Sequence, residues 1–98
     1  MAFKIIITDK AEYDLINIAE FIEEKWSKAD ADNFIGKVED FVKVLEKFPH
    51  VGVVFNQEKN IRFFVVTSQV RLYYRVRVDA IVLLTFFDTR QNPKKLKL

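Results

Sequence analysis

The spacing of apolar residues in the first half of the chain predicts two amphipathic helices joined by a short turn. Apolar residues recur every three or four positions over residues 11–26 and again over 34–48, which places each set on one face of a helix. Asp9 and Glu12 have the spacing of a capping box, so the first helix is predicted over about 10–26. Pro49 ends the second helix, because the residue before a proline is disfavoured in the α region. Two helices joined so closely are expected to run antiparallel.

Short apolar runs predict four strands, one before the helices and three after them. The predicted strands cover residues 3–8, 61–67, 70–78 and 80–87. The last three are separated by so few residues that they are expected to be antiparallel neighbours. Residues 50–60 contain a small apolar cluster, but Gly52 and several polar residues predict a loop there. The order β-α-α-β-β-β predicts an α+β fold, an antiparallel sheet carrying an antiparallel helical hairpin on one face.

The strand predicted over residues 70–78 has two chemically different faces. One face carries Val70, Leu72, Tyr74, Val76 and Val78, and the other carries Arg71, Tyr73, Arg75 and Arg77. We expect the apolar face to lie beneath the helices and the basic face to lie on the open side of the sheet.

The strand predicted over residues 80–87 is apolar on both faces, which is typical of a central strand that is covered on both sides. Two helices cannot cover both sides of a sheet. Part of this strand is therefore predicted to contact a partner chain, with Ile81, Leu83 and Phe87 as the candidate contacts.

Composition limits the class of protein. The chain has 98 residues, half of them apolar, which is enough for one domain over residues 1–98 with a single core. It has no Cys and one His, so a disulfide, a thiolate nucleophile and a structural metal site are not expected, and no cofactor is predicted. We find no targeting segment and no apolar run of membrane-spanning length, and we expect a soluble cytoplasmic protein.

Charge is unevenly distributed along the chain. Residues 1–58 hold 7 Lys and Arg against 12 Asp and Glu, whereas residues 59–98 hold 9 against 2. A solvated polar face is the ordinary explanation of an alternating strand, but neighbouring like charges destabilise a sheet unless something neutralises them. We therefore predict a surface that binds an anionic partner, nucleic acid or protein. Its candidate residues are Arg71, Arg75, Arg77, Lys94, Lys95 and Lys97.

Several motifs, in this order and spacing, resemble the RelE/ParE superfamily, the toxins of type II toxin-antitoxin modules. The resemblance covers nearly the whole chain. It is carried by Ala11-Glu-Tyr-Asp-Leu15, Phe21-Ile22, Ala31-x-x-Phe34-Ile35, Leu45-x-x-Phe48-Pro49, Ile61-Arg62, Leu72-Tyr73-Tyr74-Arg75-Val76 and Phe86-Phe87-Asp88-x-Arg90-Gln91-Asn92-Pro93. The resemblance implies a compact α+β fold and a partner, the antitoxin, that wraps around the toxin and neutralises it.

The superfamily has two branches with different targets. RelE-like members cut mRNA on the ribosome without a metal, and for that branch the resemblance assigns phosphate-holding roles to Arg62 and Arg90. Attack by a 2′-hydroxyl also needs proton transfer, and residues 91–98 contain no group that titrates near neutrality. Tyr73 is the first candidate for this role, and Glu58 and His50 are weaker ones.

Because that group is missing, we favour the ParE-like branch, whose members act on DNA gyrase. The alternative is a ribosome-dependent mRNA endoribonuclease in which Arg62, Arg90 and Tyr73 act together. A third interpretation, based on the arginine stripe alone, is a nucleic-acid-binding module without toxicity.

Overall fold

The computed structural model describes residues 2–98, and its elements follow the predicted order with one additional strand. In chain order they are β1 (Lys4–Ile7), α1 (Asp9–Lys25), α2 (Lys28–Lys47), β2 (Val53–Asn56), β3 (Ile61–Val65), β4 (Val70–Val76), β5 (Ala80–Asp88) and a 3₁₀ turn (Pro93–Lys95). The strands form one sheet in the order β1-β5-β4-β3-β2. Two helices and a five-stranded sheet confirm the predicted α+β fold.

The start of α1 lies one residue earlier than the capping pattern predicted. Thr8, rather than Asp9, is the N-cap, and its hydroxyl accepts a hydrogen bond from the amide of Ala11 at 3.1 Å. The same hydroxyl donates to the carbonyl of Leu83 at 2.8 Å, which fixes the start of α1 against β5. Ser27 caps α2 in the same way by accepting from the amide of Asp30 at 3.0 Å. The two helices therefore follow one another with almost no linker.

Two details of the sheet differ from the prediction. β1 runs parallel to β5, whereas the other strand pairs are antiparallel. Parallel neighbours need a long connection, which the helical hairpin and the intervening strands provide. Residues 53–56, predicted as loop, form the edge strand β2, which pairs with β3 and contains a bulge after Val54. The bulge breaks the alternation by which a strand is normally recognised in a sequence.

The hydrophobic core lies between the sheet and the helical hairpin. The buried residues of this core are Ala11, Phe34, Val38, Phe41, Leu45, Val70, Leu72, Tyr74, Ile81, Leu83 and Phe86. The stacked rings of Phe41 and Phe64, with centroids 3.4 Å apart, join α2 to β3. The predicted apolar face of β4 is thus confirmed up to Val76, but the strand ends there and Val78 is fully exposed in the following turn. None of the helices in residues 2–98 is long and apolar enough to cross a membrane.

Candidate functional site

The structure places two of the predicted arginines, four residues apart on one strand, on the face of the sheet that has no helices. Arg71 and Arg75 lie on β4, opposite Val65 and Ile61 of β3 respectively. The guanidinium of Arg71 lies over the ring of Phe63, 4.5 Å from its centre, in a cation–π contact. Arg77 is exposed just beyond the end of β4. We call this side of the molecule the helix-free face.

Tyr73 also belongs to the helix-free face, but it is not the exposed aromatic residue that the sequence indicated. Its side chain is only 2% exposed. Phe55 of β2 packs edge-on against its ring at 5.0 Å, and Phe63 packs beside it at 5.4 Å. An incoming substrate therefore has almost no access to the phenol in this conformation.

The segment over residues 89–98 runs from one end of β4 to the other. It begins where the amide of Thr89 donates to the carbonyl of Gln69, at one end of β4, and it ends where Lys59 Nζ donates to the main-chain oxygen of Leu98. Lys59 lies in the turn beside the opposite end of β4. The first residues of the segment, Arg90 and Gln91, lie beside the groove formed with α1 and α2. Since the helices occupy that side of the sheet, we infer that the remainder of the segment runs over the helix-free face. The burial of Ile61 supports this course, since Ile61 lies opposite Arg75, is not part of the core beneath the helices and is only 1% exposed. The predicted anion-binding lysines of this segment, Lys94, Lys95 and Lys97, are all exposed.

Arg62 does not belong to the helix-free face. It pairs across the sheet with Tyr74, so its side chain is directed to the side of the core, and its Nη1 donates to the carbonyls of His50 at 3.0 Å and Gly52 at 2.7 Å. Arg62 therefore holds the loop between α2 and β2. Both bonds use Nη1, so a phosphate bound by Nη1 would have to replace the two carbonyls, whereas one bound by Nε or Nη2 would not.

Tyr74 holds the same loop from inside the core. Its hydroxyl accepts a hydrogen bond from the amide of Gly52 at 2.9 Å and donates to the carbonyl of Pro49 at 3.0 Å. Burial raises the pKa of Tyr74 above its ordinary value, although the bond from Gly52 and the charge of Arg62 act in the opposite direction. The loop is consequently fixed by two side chains that reach it from neighbouring strands.

Arg90 is held by an internal ion pair. Its Nε and Nη2 donate to the two carboxylate oxygens of Asp88 at 3.0 and 2.7 Å, a bidentate arrangement that lowers the pKa of Asp88. Asp88 lies opposite Val70, whereas Arg62 lies opposite Tyr74. The two positions are four residues apart along β4, about 13 Å at the usual rise per residue. The structure therefore does not bring Arg62 and Arg90 together with Tyr73 at one site.

The residues that were predicted to contact a partner chain lie mostly in the core. Ile81 and Leu83 are buried beneath the helices, so no surface is left on them for a partner. They were assigned to the surface because β5 is apolar on both sides, and the sequence alone does not show which side the helices cover. Phe87 is half-buried opposite Arg71 and keeps some exposed surface.

A groove that the sequence did not indicate lies between α1, α2 and the end of the sheet where β5 finishes. Its volume is about 1070 Å³. Tyr13, Phe21 and Trp26 line it and are exposed, and Phe21 and Trp26 pack edge-on with centroids 6.1 Å apart. Trp26 had been counted with the buried face of α1, yet it is 64% exposed because it follows the last turn of the helix. The groove is also acidic. Its charged lining residues are Asp14, Asp30, Asp32, Asp40, Asp88, Lys37 and Arg90.

The remaining candidates for acid-base chemistry lie in loops. His50 and Glu58 are exposed, and the side chain of neither is hydrogen-bonded to the helix-free face. Within residues 2–98 no group of three or more His, Cys, Asp or Glu side chains is arranged to hold a metal ion.

Comparison with known proteins identifies similar sequences and folds. The family described as the ParE toxin of the type II toxin-antitoxin system, parDE, matches residues 5–93. No curated protein sequence matches the chain. A structure of a chromosomal ParDE toxin-antitoxin system from P. aeruginosa superimposes with a TM-score of 0.73 at 18% identity, covering 89% of this chain and 96% of the other.

Two further solved structures share the fold. A YoeB/ParE toxin from Agrobacterium tumefaciens superimposes with a TM-score of 0.62 at 14% identity, covering 88% of this chain and 98% of the other. A copper-bound mutant toxin from Helicobacter pylori has a TM-score of 0.55 at 16% identity, with 92% and 97% covered.

Proposed function

Because the chain belongs to the ParE toxin family of type II toxin-antitoxin systems, we propose that it inhibits growth by acting on DNA gyrase in the cytoplasm until an antitoxin neutralises it. The target is the part of this proposal that family membership leaves open. The alternative target is mRNA on the ribosome, which requires nuclease chemistry at the residues assigned above.

The observation that favours gyrase is that the groups needed for RNA cleavage already make internal contacts. Arg62 donates to two loop carbonyls, Arg90 is paired with Asp88, and Tyr73 is covered by Phe55. Stabilising a pentacovalent phosphate requires cationic donors that are free and preorganised around one point. Proton transfer requires a further group within hydrogen-bonding distance of the substrate. A toxin that acts by binding another protein needs neither arrangement.

The target can be tested with purified protein in two parallel assays. We expect loss of supercoiling by DNA gyrase and no cleavage of an mRNA that is being translated by ribosomes. Cleavage of the mRNA with supercoiling unaffected would refute the gyrase proposal and support the endoribonuclease. In that case Arg90→Ala, an exposed position whose loss leaves the core intact, should reduce cleavage.

We propose that the antitoxin places an amphipathic segment in the groove between α1 and α2. Exposed aromatic side chains at the edge of a concave surface are typical anchor sites for a partner helix. The groove lining holds five carboxylates against two cations. Three of these carboxylates and one of the cations already form ion pairs within residues 2–98, which leaves two carboxylates against one cation. We therefore expect the part of the antitoxin that lies in the groove to be basic on its polar face, which differs from the acidic segment that the basic strand would attract.

The groove proposal can be tested with the protein encoded by the reading frame that adjoins this gene. Replacing both Phe21 and Trp26 by Ala should weaken binding of that protein by about two orders of magnitude, since aromatic anchors dominate interface energies. Val78→Ala is the matched control, because Val78 is 99% exposed and lies in the turn between β4 and β5. Equal affinity of the double variant and the control would place the antitoxin elsewhere.

A further inference from the structure

We propose that the helix-free face and the segment crossing it together bind the phosphate backbone of duplex DNA. This inference rests on the proposed function, since DNA is the substrate of gyrase. The surface consists of Arg71, Arg75, Arg77, Lys94, Lys95 and Lys97, and is called the basic surface below.

Within the part of the chain that the structure describes, the cations of the basic surface have no partners of opposite charge. The ion pairs found within residues 2–98 are Lys10–Asp14, Lys28–Asp32 and Arg90–Asp88, and none includes a residue of this surface. The Nε of Arg75 is buried and has no hydrogen-bond acceptor in the part of the chain that the structure describes. Cations that lie close together repel one another unless an anion is present. The surface is therefore complementary to a polyanion.

The cations are also held in position. Arg71 and Arg75 lie on a strand that is hydrogen-bonded on both sides. The segment with the lysines is tied to the sheet at Thr89 and at Leu98, and it contains a 3₁₀ turn capped by Asn92. Arg71 and Arg75 are about 13 Å apart along the strand, close to the width of about 12 Å of the major groove of B-DNA. The two arginines thus have the spacing to contact phosphates on both sides of that groove.

Duplex DNA is favoured over single-stranded nucleic acid because little aromatic surface is available for stacking. Proteins that bind single strands stack bases on exposed rings. Here Tyr73 is buried, the ring of Phe63 is covered by Arg71, and Phe55, which is 45% exposed, packs against Tyr73. Binding through phosphates alone needs no such rings.

Binding of a fluorescent 20-base-pair duplex, followed by anisotropy over a series of salt concentrations, tests the proposal directly. Six phosphate contacts predict a slope of about −5 for the logarithm of the association constant against the logarithm of salt concentration. Replacing Lys94, Lys95 and Lys97 by Ala should reduce the magnitude of this slope by about 3 and weaken binding at least about tenfold at low salt.

The matched control removes the same charge from the other side of the molecule. Lys25, Lys43 and Lys47 are exposed on the helices, so their replacement by Ala lowers the net charge equally. The control should bind the duplex nearly as tightly as the unmodified protein. Equal weakening in both triple variants would show attraction by net charge alone and would overturn the proposal.

Three other results would also overturn it. They are tighter binding of a single strand of the same length, binding of polyglutamate without binding of the duplex, and no binding of any of these probes at low salt. The gyrase assay is independent of this measurement. A protein that blocks supercoiling but does not bind the duplex would refute the DNA contact alone, and a protein that binds the duplex but leaves gyrase active would refute the gyrase target alone.

Discussion

The hydroxyl of Tyr74 is a single group whose removal should destabilise the fold measurably. Tyr74 is 0% exposed, and its hydroxyl joins β4 to the loop between α2 and β2 through bonds with Gly52 and Pro49. Tyr74→Phe keeps the ring and its packing but deletes the oxygen. The main-chain amide of Gly52 and the carbonyl of Pro49 would then be left without this partner in a buried environment.

The expected loss follows from the cost of leaving buried polar groups unsatisfied. That cost is about 1–3 kcal/mol, a large part of the 5–15 kcal/mol that stabilises a typical domain. For a chain of 98 residues the melting temperature should fall by on the order of 10 °C.

The same hydroxyl predicts how stability changes in alkaline solution. Because the pKa of Tyr74 is raised in the folded protein, the unfolded chain loses the phenolic proton first as the pH increases. Above about pH 10 the folded state binds more protons than the unfolded state, so the free energy of unfolding falls with increasing pH. The ionisation of Tyr74 can lower the free energy of unfolding by at most about 1.4 kcal/mol per pH unit. Tyr74→Phe should remove that contribution.

Chemical denaturation at pH 7 and between pH 9 and 11 measures both effects. Tyr13→Phe is the matched control, since Tyr13 is 65% exposed on α1 and the same atom is removed there. The control should change the free energy of unfolding by less than about 0.5 kcal/mol. If Tyr74→Phe and Tyr13→Phe have the same stability at pH 7, the hydroxyl does not hold the loop and the reasoning is wrong.

Four further predictions concern two glycines, a helix cap and one ion pair. Gly52→Ala should destabilise the protein by more than about 2 kcal/mol in a denaturation experiment, because an added Cβ would lie 2.5 Å from the Tyr74 hydroxyl and 2.7 Å from a main-chain oxygen. Gly36→Ala, with no atom within 4 Å of its Cβ, should stabilise α2 by about 0.5–1 kcal/mol, and a loss of stability there would contradict the described packing. Ser27→Ala should cost about 1 kcal/mol through loss of the N-cap, seen as a lower denaturation midpoint. Because the pKa of Asp88 is lowered, its pairing with Arg90 should add to the free energy of unfolding at neutral pH, and this contribution should be lost as the pH falls below about 4. A carboxyl titration by NMR should show a higher pKa of Asp88 in Arg90→Ala than in the unmodified protein.

The helices and the core could be predicted from sequence because their signals are local and periodic. The apolar residues of α1 and α2 recur at helical spacing, and both helices end within about two residues of the predicted positions. Tyr74 was correctly assigned to the core and Arg71 to the opposite face by alternation along a single strand. These assignments need no knowledge of which strands are neighbours.

The features that could not be predicted from sequence depend on contacts between distant parts of the chain. Arg62 and Phe64 are two residues apart on β3, so alternation places both side chains on the core side of the sheet. The hydrogen-bond acceptors of Arg62 are loop carbonyls, which only the folded structure brings near. Tyr73 became buried because Phe55, on a strand that a bulge conceals in the sequence, packs against it. The groove between α1 and α2 was missed for the same reason, since Trp26 has the spacing of a core residue but lies beyond the sheet that would cover it.

The acidic groove and the basic surface lie on opposite sides of a molecule whose longest dimension is 39 Å. Copies of such a particle attract one another when the positive side of one meets the negative side of the next. A head-to-tail contact of this kind does not close into a ring unless its rotation allows it, so it can continue from copy to copy. The isolated protein should therefore cluster in dilute buffer and disperse as added ions shorten the range of the attraction.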